Sequence, residues 1–380
     1  MRLVFYSNML NYHQEPLARE LIKILGEENY RFIANEPTTN EINNFQLDQK
    51  FDTTSYVVPG YKYPDKAREL INDADCVIIS GLPVSYVAER LNAGKLTFMQ
   101  SEHFRKGPFT KDVIRLVKYA MYSGGKRAAK NPNAKFYLLC SSGFAAHDYN
   151  LCGLFRDKAY KWGYFPEVKR YDDIDGLISR KQQASIIWAG RLIDWKHPEL
   201  AVILARNLKA KGINFTLKII GDGYMKQTLE SMIAEWNLND CVKLTGLMKI
   251  DEVRTELESA QISLLTSNSG EGWGAVLNES MNSACVSVAS EKIGSVPFML
   301  RDDHNGLIFR NENSDDLTQK VLTLLDNPEK IHELGRNAYE TMINDWTPEL
   351  AAKRFIALWD ALASSDKPVN IFENGLCSKV

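Results

Sequence analysis

The clearest fold signal in the sequence is a short apolar run that ends in a glycine-rich turn, Phe215-Thr216-Leu217-Lys218-Ile219-Ile220-Gly221-Asp222-Gly223. A helical pattern follows it over Met225–Trp236. The same order precedes it, with a strand predicted at Ile186–Ala189 and a helix at Pro198–Lys211. Strands that alternate with helices indicate a parallel sheet that is covered on both faces. This segment therefore predicts a doubly wound α/β domain.

Alternating strands and helices extend from this segment towards both ends of the chain. Later elements are predicted as strands at Val242–Leu244, Ile262–Thr266 and Val286–Ala289 and a helix at Ala275–Ser283. In the first half, strands are predicted at Leu3–Ser7, Arg31–Ala34, Cys76–Ser80, Leu96–Met99 and Phe136–Cys140. The predicted fold class is α/β, with two Rossmann-like doubly wound domains that face a central cleft. In such sheets ligands bind beyond the carboxyl ends of the strands, so functional residues are expected in the strand-to-helix loops.

The length of 380 residues also favours two domains. Pro166–Gln183 is charged and weakly periodic, which predicts a first domain over 1–165 and a second over 166–350. Thr347-Pro348 has the pattern of an N-cap followed by proline in the first turn. It predicts a helix over 351–364 that crosses back to the first domain, and 365–380 is expected to be a loose tail.

Composition excludes several classes of protein. The chain is 44% apolar and 25% charged, which is typical of globular proteins. A net charge of -2 argues against binding to nucleic acid through overall charge. No stretch is apolar enough to predict a transmembrane span or a secretory signal. The six cysteines form no CxxC pair, which favours reduced thiols, a cytoplasmic location and no zinc site.

One glycine-rich segment carries two carboxylates at a defined spacing. It is Asn268-Ser269-Gly270-Glu271-Gly272-Trp273-Gly274-Ala275-Val276-Leu277-Asn278-Glu279. Glu271 lies in the loop, whereas Glu279 lies two turns into the predicted helix, where it could accept hydrogen bonds from ribose hydroxyls. The glycines allow close approach of a ligand, and the helix N-terminus favours a phosphate. Alone, such a pair more often belongs to a solvated helix after an ordinary glycine turn.

A second segment supplies cations. In Trp188-Ala189-Gly190-Arg191-Leu192-Ile193-Asp194-Trp195-Lys196-His197-Pro198, a strand end releases Arg191 and Lys196 into the loop before a helix. A guanidinium fork and an ammonium group together suit a diphosphate. The alternative is that the two side chains cap a helix or lie in solvent.

Together these segments resemble the GT-B retaining glycosyltransferases of family 4, the glycosyl transferases group 1. The resemblance rests on Gly190-Arg191 with Lys196, on Gly221-Asp222-Gly223, and on Glu271 with Glu279 in the family's Glu-x7-Glu signature. Gly294-Ser295-Val296-Pro297 and Asn305-Gly306-Leu307 also match, in the family's order, and the resemblance covers roughly 180 to 350. Two departures are the absence of a double glycine from Ser7–Gln14 and of a glycine and proline from Asn282–Val286.

The resemblance implies a role for each matching residue. Arg191 and Lys196 would hold the donor diphosphate and neutralise its charge as the nucleotide leaves. Glu271 would contact the transferred sugar and Glu279 the ribose. Further donor-binding residues would be Gly190, Leu247 near the nucleobase, Gly272, and the backbone amides of Trp273, Gly274, Ala275 and Val276. No Asp-x-Asp motif stands in a strand-end loop, so neither a metal nor another cofactor is expected beside the UDP- or GDP-linked donor.

The first domain is expected to select the acceptor. Asn11, Tyr12 and His13 lie in the first strand-to-helix loop and are candidate acceptor-side residues. Glu102 and His103 follow the strand Leu96–Met99, and the family often has a histidine near the transferred sugar at this place. Both are candidate catalytic residues, and the choice between them stays open. Each histidine could instead be an ordinary surface or packing residue.

One segment is strongly basic. Arg105–Lys135 carries a net charge of +8, whereas the rest of the chain carries -10. A solvated face is the usual explanation, but this imbalance favours contact with an anionic surface, either membrane headgroups or a lipid-pyrophosphate acceptor. The protein would then be peripheral on the inner face of the cell membrane.

The leading hypothesis is a metal-independent, retaining transfer of a hexose from a nucleotide-diphosphate sugar. The acceptor would be a glycan or a lipid-linked glycan in envelope, capsule or lipopolysaccharide assembly. The alternatives are a nucleotide-sugar epimerase or phosphorylase built on the same fold, and a non-catalytic sugar-binding protein.

Overall fold

The computed structural model describes residues 1–37, 54–107, 112–114, 126–365 and 367–380, with the backbone alone for residues 126 and 127. The described chain divides into two compact units. The first unit contains Met1–Glu167 and Asp345–Val380, and the second contains Val168–Asn344. In the described residues, no helix combines the length and the apolar character that crossing a membrane requires.

The first unit is built on a seven-stranded parallel sheet with the strand order β3-β2-β1-β4-β5-β6-β7. Its strands are β1 (Leu3–Ser7), β2 (Tyr30–Ala34), β3 (Val57–Pro59), β4 (Cys76–Ser80), β5 (Thr97–Ser101), β6 (Phe136–Cys140) and β7 (Ala159–Lys161). The helices between them are α1 (Glu15–Leu25), α2 (Pro64–Asp73), α3 (Ala88–Asn92), α4 (Lys126–Lys130) and α5 (Ala145–Leu151). The strand order reverses between β1 and β4, which is where doubly wound sheets bind ligands.

The second unit repeats this plan on a six-stranded parallel sheet with the order β10-β9-β8-β11-β12-β13. Its strands are β8 (Ser185–Ala189), β9 (Thr216–Ile220), β10 (Val242–Gly246), β11 (Ile262–Leu265), β12 (Val286–Ser290) and β13 (Leu307–Phe309). Its helices are α6 (Ile174–Ser179), α7 (Pro198–Ala210), α8 (Lys226–Glu235), α9 (Ile250–Ser259), α10 (Val276–Asn282), α11 (Val296–Met299), α12 (Ser314–Leu325) and α13 (Pro328–Asp345).

The packing of the second unit explains why its alternating strands and helices can be predicted from the sequence. Ile186 and Trp188 of β8 and Leu217 of β9 belong to one buried apolar cluster with Leu200 and Leu208 of α7. These side chains stabilise the unit because folding removes their apolar surface from water. The apolar strands and the apolar face of the helix are therefore both visible in the sequence. Two doubly wound parallel sheets are confirmed.

The last helix, α14 (Pro348–Ala363), belongs to the first unit and packs against α1. The Thr347 side chain accepts a hydrogen bond from the Leu350 amide and caps the helix. Inside the unit, the ring of Phe355 lies 5.2 Å from that of Phe98 and 5.8 Å from that of Trp162.

The expectation of a loose tail over 365–380 is wrong for the end of the chain. The Cys377 amide donates to the Lys161 carbonyl (2.8 Å), and the Lys161 amide donates to the Ser378 carbonyl (2.9 Å). The tail thus pairs antiparallel with the edge strand β7. Backbone pairing of this kind leaves no side-chain periodicity, so the sequence shows no sign of it.

Candidate functional site

The loop after β8 is held by the Gly-Asp-Gly turn that follows β9. The Leu192 amide donates to the Asp222 carbonyl (2.8 Å). A Cβ atom at Gly221 (φ 140°) would lie 1.8 Å from the Gly190 carbonyl oxygen, and one at Gly223 (φ 156°) would lie 2.4 Å from that of Leu192. Only glycine fits at these two positions. The turn therefore supports the backbone that carries the predicted cations.

Lys196 lies at the end of a 3-10 turn, Asp194–Lys196. Its carbonyl accepts a hydrogen bond from the Thr266 hydroxyl (2.7 Å), which in turn accepts one from the Trp188 indole (2.8 Å). Its ammonium group forms an ion pair with Glu271, and the two side chains are only 15% and 16% exposed. The structure thus brings together two residues that are 75 positions apart in the chain.

The loop that carries Glu271 is built around Asn268. The Asn268 side chain accepts a hydrogen bond from the Gly270 amide (2.8 Å), and its carbonyl accepts one from the Glu271 amide (3.1 Å). The Asn268 amide donates to the Trp195 carbonyl (2.9 Å). This bond joins the Glu271 loop to the loop that carries Lys196.

Lys196 and Glu271 border a small cavity of about 20 Å³ that opens beyond the ends of β8 and β11. Ser267, Gly274 and Val276 also line it, and the Ser267 hydroxyl donates to the Glu271 carboxylate (3.2 Å). A charged pair at the edge of a cavity at this end of a parallel sheet is the arrangement expected for a ligand site.

Arg191 lies close to this pair in the chain but is held differently. It is exposed, and its guanidinium carbon lies 5.5 Å from the centroid of the Trp195 ring, a cation–π contact. In the part of the chain that the structure describes, Arg191 forms no ion pair. A planar guanidinium that is supported by an indole can present its hydrogen-bond donors to an anion.

The glycine-rich loop after Glu271 is anchored by a buried tryptophan. The indole of Trp273 donates to the Asn278 side chain (2.9 Å). Gly272 is buried, and Gly274 has φ 83°. A Cβ atom at Gly274 would lie 2.8 Å from the Ile293 side chain. The anchor and the glycines together fix the path of the loop into α10.

The start of α10 follows directly from this loop. Ala275 is the N-cap residue and Val276 the first helical residue, and no side chain among the described residues caps this end of the helix. The first amide groups of a helix have no acceptor within that helix and are available to other acceptors. One of them, the Leu277 amide, already donates to the Gly274 carbonyl (2.9 Å).

Glu279 lies one turn into α10, not two as the sequence predicts, because the helix begins at Val276, and its side chain is partly buried. Burial raises the pKa of its carboxyl to about 7, and the positive charge of Arg254 lowers the pKa by a smaller amount. Arg254 is itself held by a hydrogen bond to the Asn282 side chain (2.8 Å). Leu247, the predicted nucleobase contact, follows the end of β10 and is 47% exposed.

The first unit has a cavity of its own, of about 440 Å³, beyond the ends of β4 and β5. Glu102 lies on it: its carboxylate accepts a hydrogen bond from the Tyr164 hydroxyl (3.0 Å) and pairs with the Lys106 ammonium group (2.5 Å). His103 also lines the cavity but is buried, with Nδ1 2.8 Å from the Ser142 hydroxyl.

The first strand-to-helix loop reaches this cavity through Tyr164. The Asn11 side chain accepts a hydrogen bond from the His13 amide (3.0 Å) and so shapes the loop. The ring centroids of Tyr12 and His13 are 3.7 Å apart, and those of His13 and Tyr164 are 6.0 Å apart. His13 thus contacts Tyr164, which donates to Glu102, but the residues that line the cavity do not include Asn11, Tyr12 or His13.

Two residues of this cavity were not predicted from the sequence. Tyr164 lies just before the predicted domain boundary, in no recognisable motif. Gln100 is 3% exposed, and its side-chain oxygen has no hydrogen-bond partner among the described residues. A polar residue at the end of an apolar strand was the available signal.

Part of the basic segment Arg105–Lys135 lies outside the described residues. This holds for Lys111, Arg115 and Lys118, while Lys126 and Arg127 are described by their backbone alone. Elsewhere, within the ranges that the structure covers, no group of three or more His, Cys, Asp or Glu side chains is placed to hold a metal ion.

Comparison with known proteins defines the class of the second unit. Residues 171–341 match the model of the family described as Glycosyl transferases group 1, so this part of the chain is similar to the members of that family.

Two curated relatives are similar over part of the chain. An uncharacterized glycosyltransferase of Methanocaldococcus jannaschii is 34% identical over 131 residues, which are 34% of this chain and 36% of the relative. The poly(ribitol-phosphate) alpha-N-acetylglucosaminyltransferase of Staphylococcus aureus is 28% identical over 172 residues, 45% of this chain and 34% of the relative. The chain thus spans about a third of the length of these relatives.

A solved structure matches over nearly the whole chain. The Anabaena protein HepE, in complex with UDP, is 14% identical with a TM-score of 0.69, and the match covers 96% of this chain and 100% of that one. This likeness shows the fold, which is the GT-B fold that the sequence predicts.

Proposed function

We propose that the protein is a retaining glycosyltransferase that moves a hexose from a nucleotide-diphosphate sugar to a glycan or a lipid-linked glycan. The observation that carries this proposal is the ion pair of Lys196 and Glu271 at the edge of a cavity, with the exposed guanidinium of Arg191 in the same loop as the lysine. A sugar nucleotide has a diphosphate for the cations and hydroxyl groups for the carboxylate.

The cations act when the bond between the sugar and the diphosphate breaks. Negative charge then grows on the departing phosphate oxygen, and fixed positive groups stabilise that charge more than they stabilise the bound substrate. Lys196 and Arg191 supply these groups, and the first amides of α10 add donors for the phosphates. With this charge in place, the reaction needs no metal ion.

The two glutamates bind opposite ends of the donor. Glu271 accepts hydrogen bonds from hydroxyls of the transferred sugar, at the cavity edge where its carboxylate already lies. Glu279 accepts hydrogen bonds from the ribose, and Leu247 packs against the base. UDP is the donor nucleotide to test first, because the structure of similar fold contains UDP.

The acceptor binds in the cavity of the first unit. Its polar lining offers oxygen acceptors on Gln100 and Glu102 and a hydroxyl on Tyr164, which suit the hydroxyl groups of a sugar. The relative from Staphylococcus aureus is named for transfer to poly(ribitol-phosphate), and an envelope polymer or its lipid-linked precursor is the acceptor class proposed for this chain. The basic segment would bring the enzyme to the inner face of the cell membrane.

A screen of nucleotides tests the proposal directly. The melting temperature is measured with UDP, GDP and ADP, each with and without a sugar, and the nucleotide that stabilises the protein most is then offered as its radiolabelled sugar donor. We expect one nucleotide to raise the melting temperature and its sugar to be transferred with retention. Stabilisation by none of the three would refute a donor site in the second unit.

A further inference from the structure

His197 occupies an unusual backbone conformation directly after Lys196. It lies between the 3-10 turn and α7 with φ 47° and ψ 51°, in the left-handed region. A side chain is disfavoured there, and glycine would adopt the same conformation without strain. A strained residue beside a candidate catalytic lysine calls for a physical reason.

The imidazole ring makes contacts on both of its nitrogen atoms. Nδ1 lies 2.6 Å from the Glu199 carboxylate, in the first turn of α7. Nε2 lies 2.9 Å from the Asn268 side-chain nitrogen and 3.5 Å from the Glu312 carboxylate, which follows β13. The ring therefore contacts three different segments of the second unit.

These contacts define the tautomer. A carboxylate only accepts hydrogen bonds, so Nδ1 carries the proton and donates a hydrogen bond to Glu199. The Asn268 oxygen already accepts from the Gly270 amide, so the Asn268 nitrogen faces the ring and donates to Nε2. Neutral His197 satisfies both bonds at once.

Asn268 is the residue that shapes the Glu271 loop, as its bonds to Gly270 and Glu271 show. His197 therefore links the loop of one charged residue to the loop of the other: it follows Lys196 in the chain and holds Asn268 through its ring. An ion pair between residues on two loops keeps its geometry only if the loops keep theirs.

We propose that His197 is a positioning residue that holds the Lys196 loop and the Glu271 loop in register for catalysis. This inference rests on the proposed function. A glycine at this position would remove the backbone strain, but it would also remove the ring that Asn268 contacts.

The charges around the imidazole ring affect its protonation, and protonation affects its hydrogen bond with Asn268. The hydrogen bond to Glu199 raises the pKa of His197, burial lowers it by less, and the charges of Glu199, Glu312 and Asp194 raise it further. Protonation would place a hydrogen on Nε2, opposite the Asn268 NH2 group, and would break the link.

The test replaces His197 by glycine, which removes the ring and also relieves the strain. In His197→Gly we expect the melting temperature to stay within about 3 °C of the wild type, because the backbone keeps its conformation. We expect kcat to fall at least about tenfold, since small displacements of catalytic groups are costly, while KM for the sugar nucleotide changes less than about threefold.

Ala184→Gly is the matched control. Ala184 also has a positive φ, of 52°, but lies directly before β8, at the opposite end of the strand from both loops. The control should keep the wild-type kcat. A kcat for His197→Gly within about twofold of the wild type would overturn the inference.

A second measurement needs no substrate and separates this inference from the proposed function. Amide hydrogen exchange of residues 268–274 should become faster in His197→Gly and stay unchanged in Ala184→Gly. Unchanged exchange in His197→Gly refutes the link between the loops even if the enzyme is active. Faster exchange in a protein that transfers no sugar would support the link and refute the proposed function instead.

Discussion

Each unit places a lysine–glutamate pair at the edge of a cavity, and the two pairs differ in burial. Lys196 and Glu271 in the second unit are 15% and 16% exposed, whereas Lys106 and Glu102 in the first unit are 30% and 28% exposed. The pair in the second unit joins two loops that are far apart in the sequence. The pair in the first unit joins residues four positions apart in one loop.

This difference changes what each pair can do. A partly buried pair interacts through a medium of low polarisability and is weakly screened by salt, so its charges act strongly on a ligand bound beside it. A more exposed pair in one loop contributes little to stability and can rearrange around different ligands. The second unit therefore has a rigid site suited to a constant group such as a diphosphate, and the first unit has an adaptable site.

The largest effect is expected at the rigid pair. Lys196→Met keeps the aliphatic stem but removes the charge, so kcat should fall by about a hundredfold to a thousandfold, the range for loss of one electrostatic donor. The matched control is Lys209→Met, which removes an exposed lysine paired with Asp240 in the same unit. Steady-state kinetics of both variants test this prediction. Equal turnover in the two variants would contradict a catalytic role for the charge of Lys196.

The adaptable pair should give a smaller and different effect. Glu102→Gln keeps the size of the side chain and one acceptor oxygen, and we expect kcat/KM for the acceptor to fall about tenfold, as for loss of one hydrogen bond to a charged group. Affinity for the nucleotide, measured by calorimetry, should not change. A fall in nucleotide affinity as large as that in kcat/KM would show that Glu102 belongs to the donor site.

The two sites were not equally predictable from the sequence. The proposed donor residues stand in short motifs whose glycines are required by the backbone, as at Gly221 and Gly274. The cavity of the first unit is assembled from strand ends and from Tyr164, and its polar groups carry no spacing that a reader could detect. The sequence therefore points to candidate residues where they stand together in a short motif, and it does not where a cavity is assembled from separate strand ends.

The fold shows the same limit. The predicted bounds of β1, β4 and β6 agree with the structure, because an inner strand of a parallel sheet is a continuous apolar run. The strands that were missed, β3, β7 and β13, have three residues each and lie at sheet edges. Their pairing depends on backbone hydrogen bonds, which leave little trace in residue type.

A third prediction concerns the pH dependence of nucleotide binding. Because the pKa of Glu279 is raised to about 7, its carboxyl is mostly protonated at pH 6 and mostly ionised at pH 8. If Glu279 binds the ribose as proposed, its ionised form accepts the stronger hydrogen bonds from the hydroxyls, so affinity should rise by up to about tenfold from about pH 6 to pH 8 and fall again as pH falls through 7.

The control for this measurement is Glu279→Gln. The nucleotide phosphate also titrates in this range. In the variant, the change in affinity with pH therefore comes from the phosphate and not from residue 279. Calorimetry at both pH values should show the extra rise in the wild type only. The same rise in both proteins would remove Glu279 from the ribose site.

The smallest effect is expected from removing metal ions. In the proposed function, Lys196, Arg191 and the first amides of α10 supply positive charge to the diphosphate, so excess EDTA should leave the rate of sugar transfer within about twofold. The assay is run with wild-type protein, first with EDTA and then with added Mg²⁺ or Mn²⁺. A loss of rate that either ion restores would show that a metal ion supplies the positive charge. Glu271 would then be a candidate ligand of that ion. The rigid pair would then be a resting arrangement that the metal replaces, and the contrast between the two units would no longer explain where the charge for catalysis comes from.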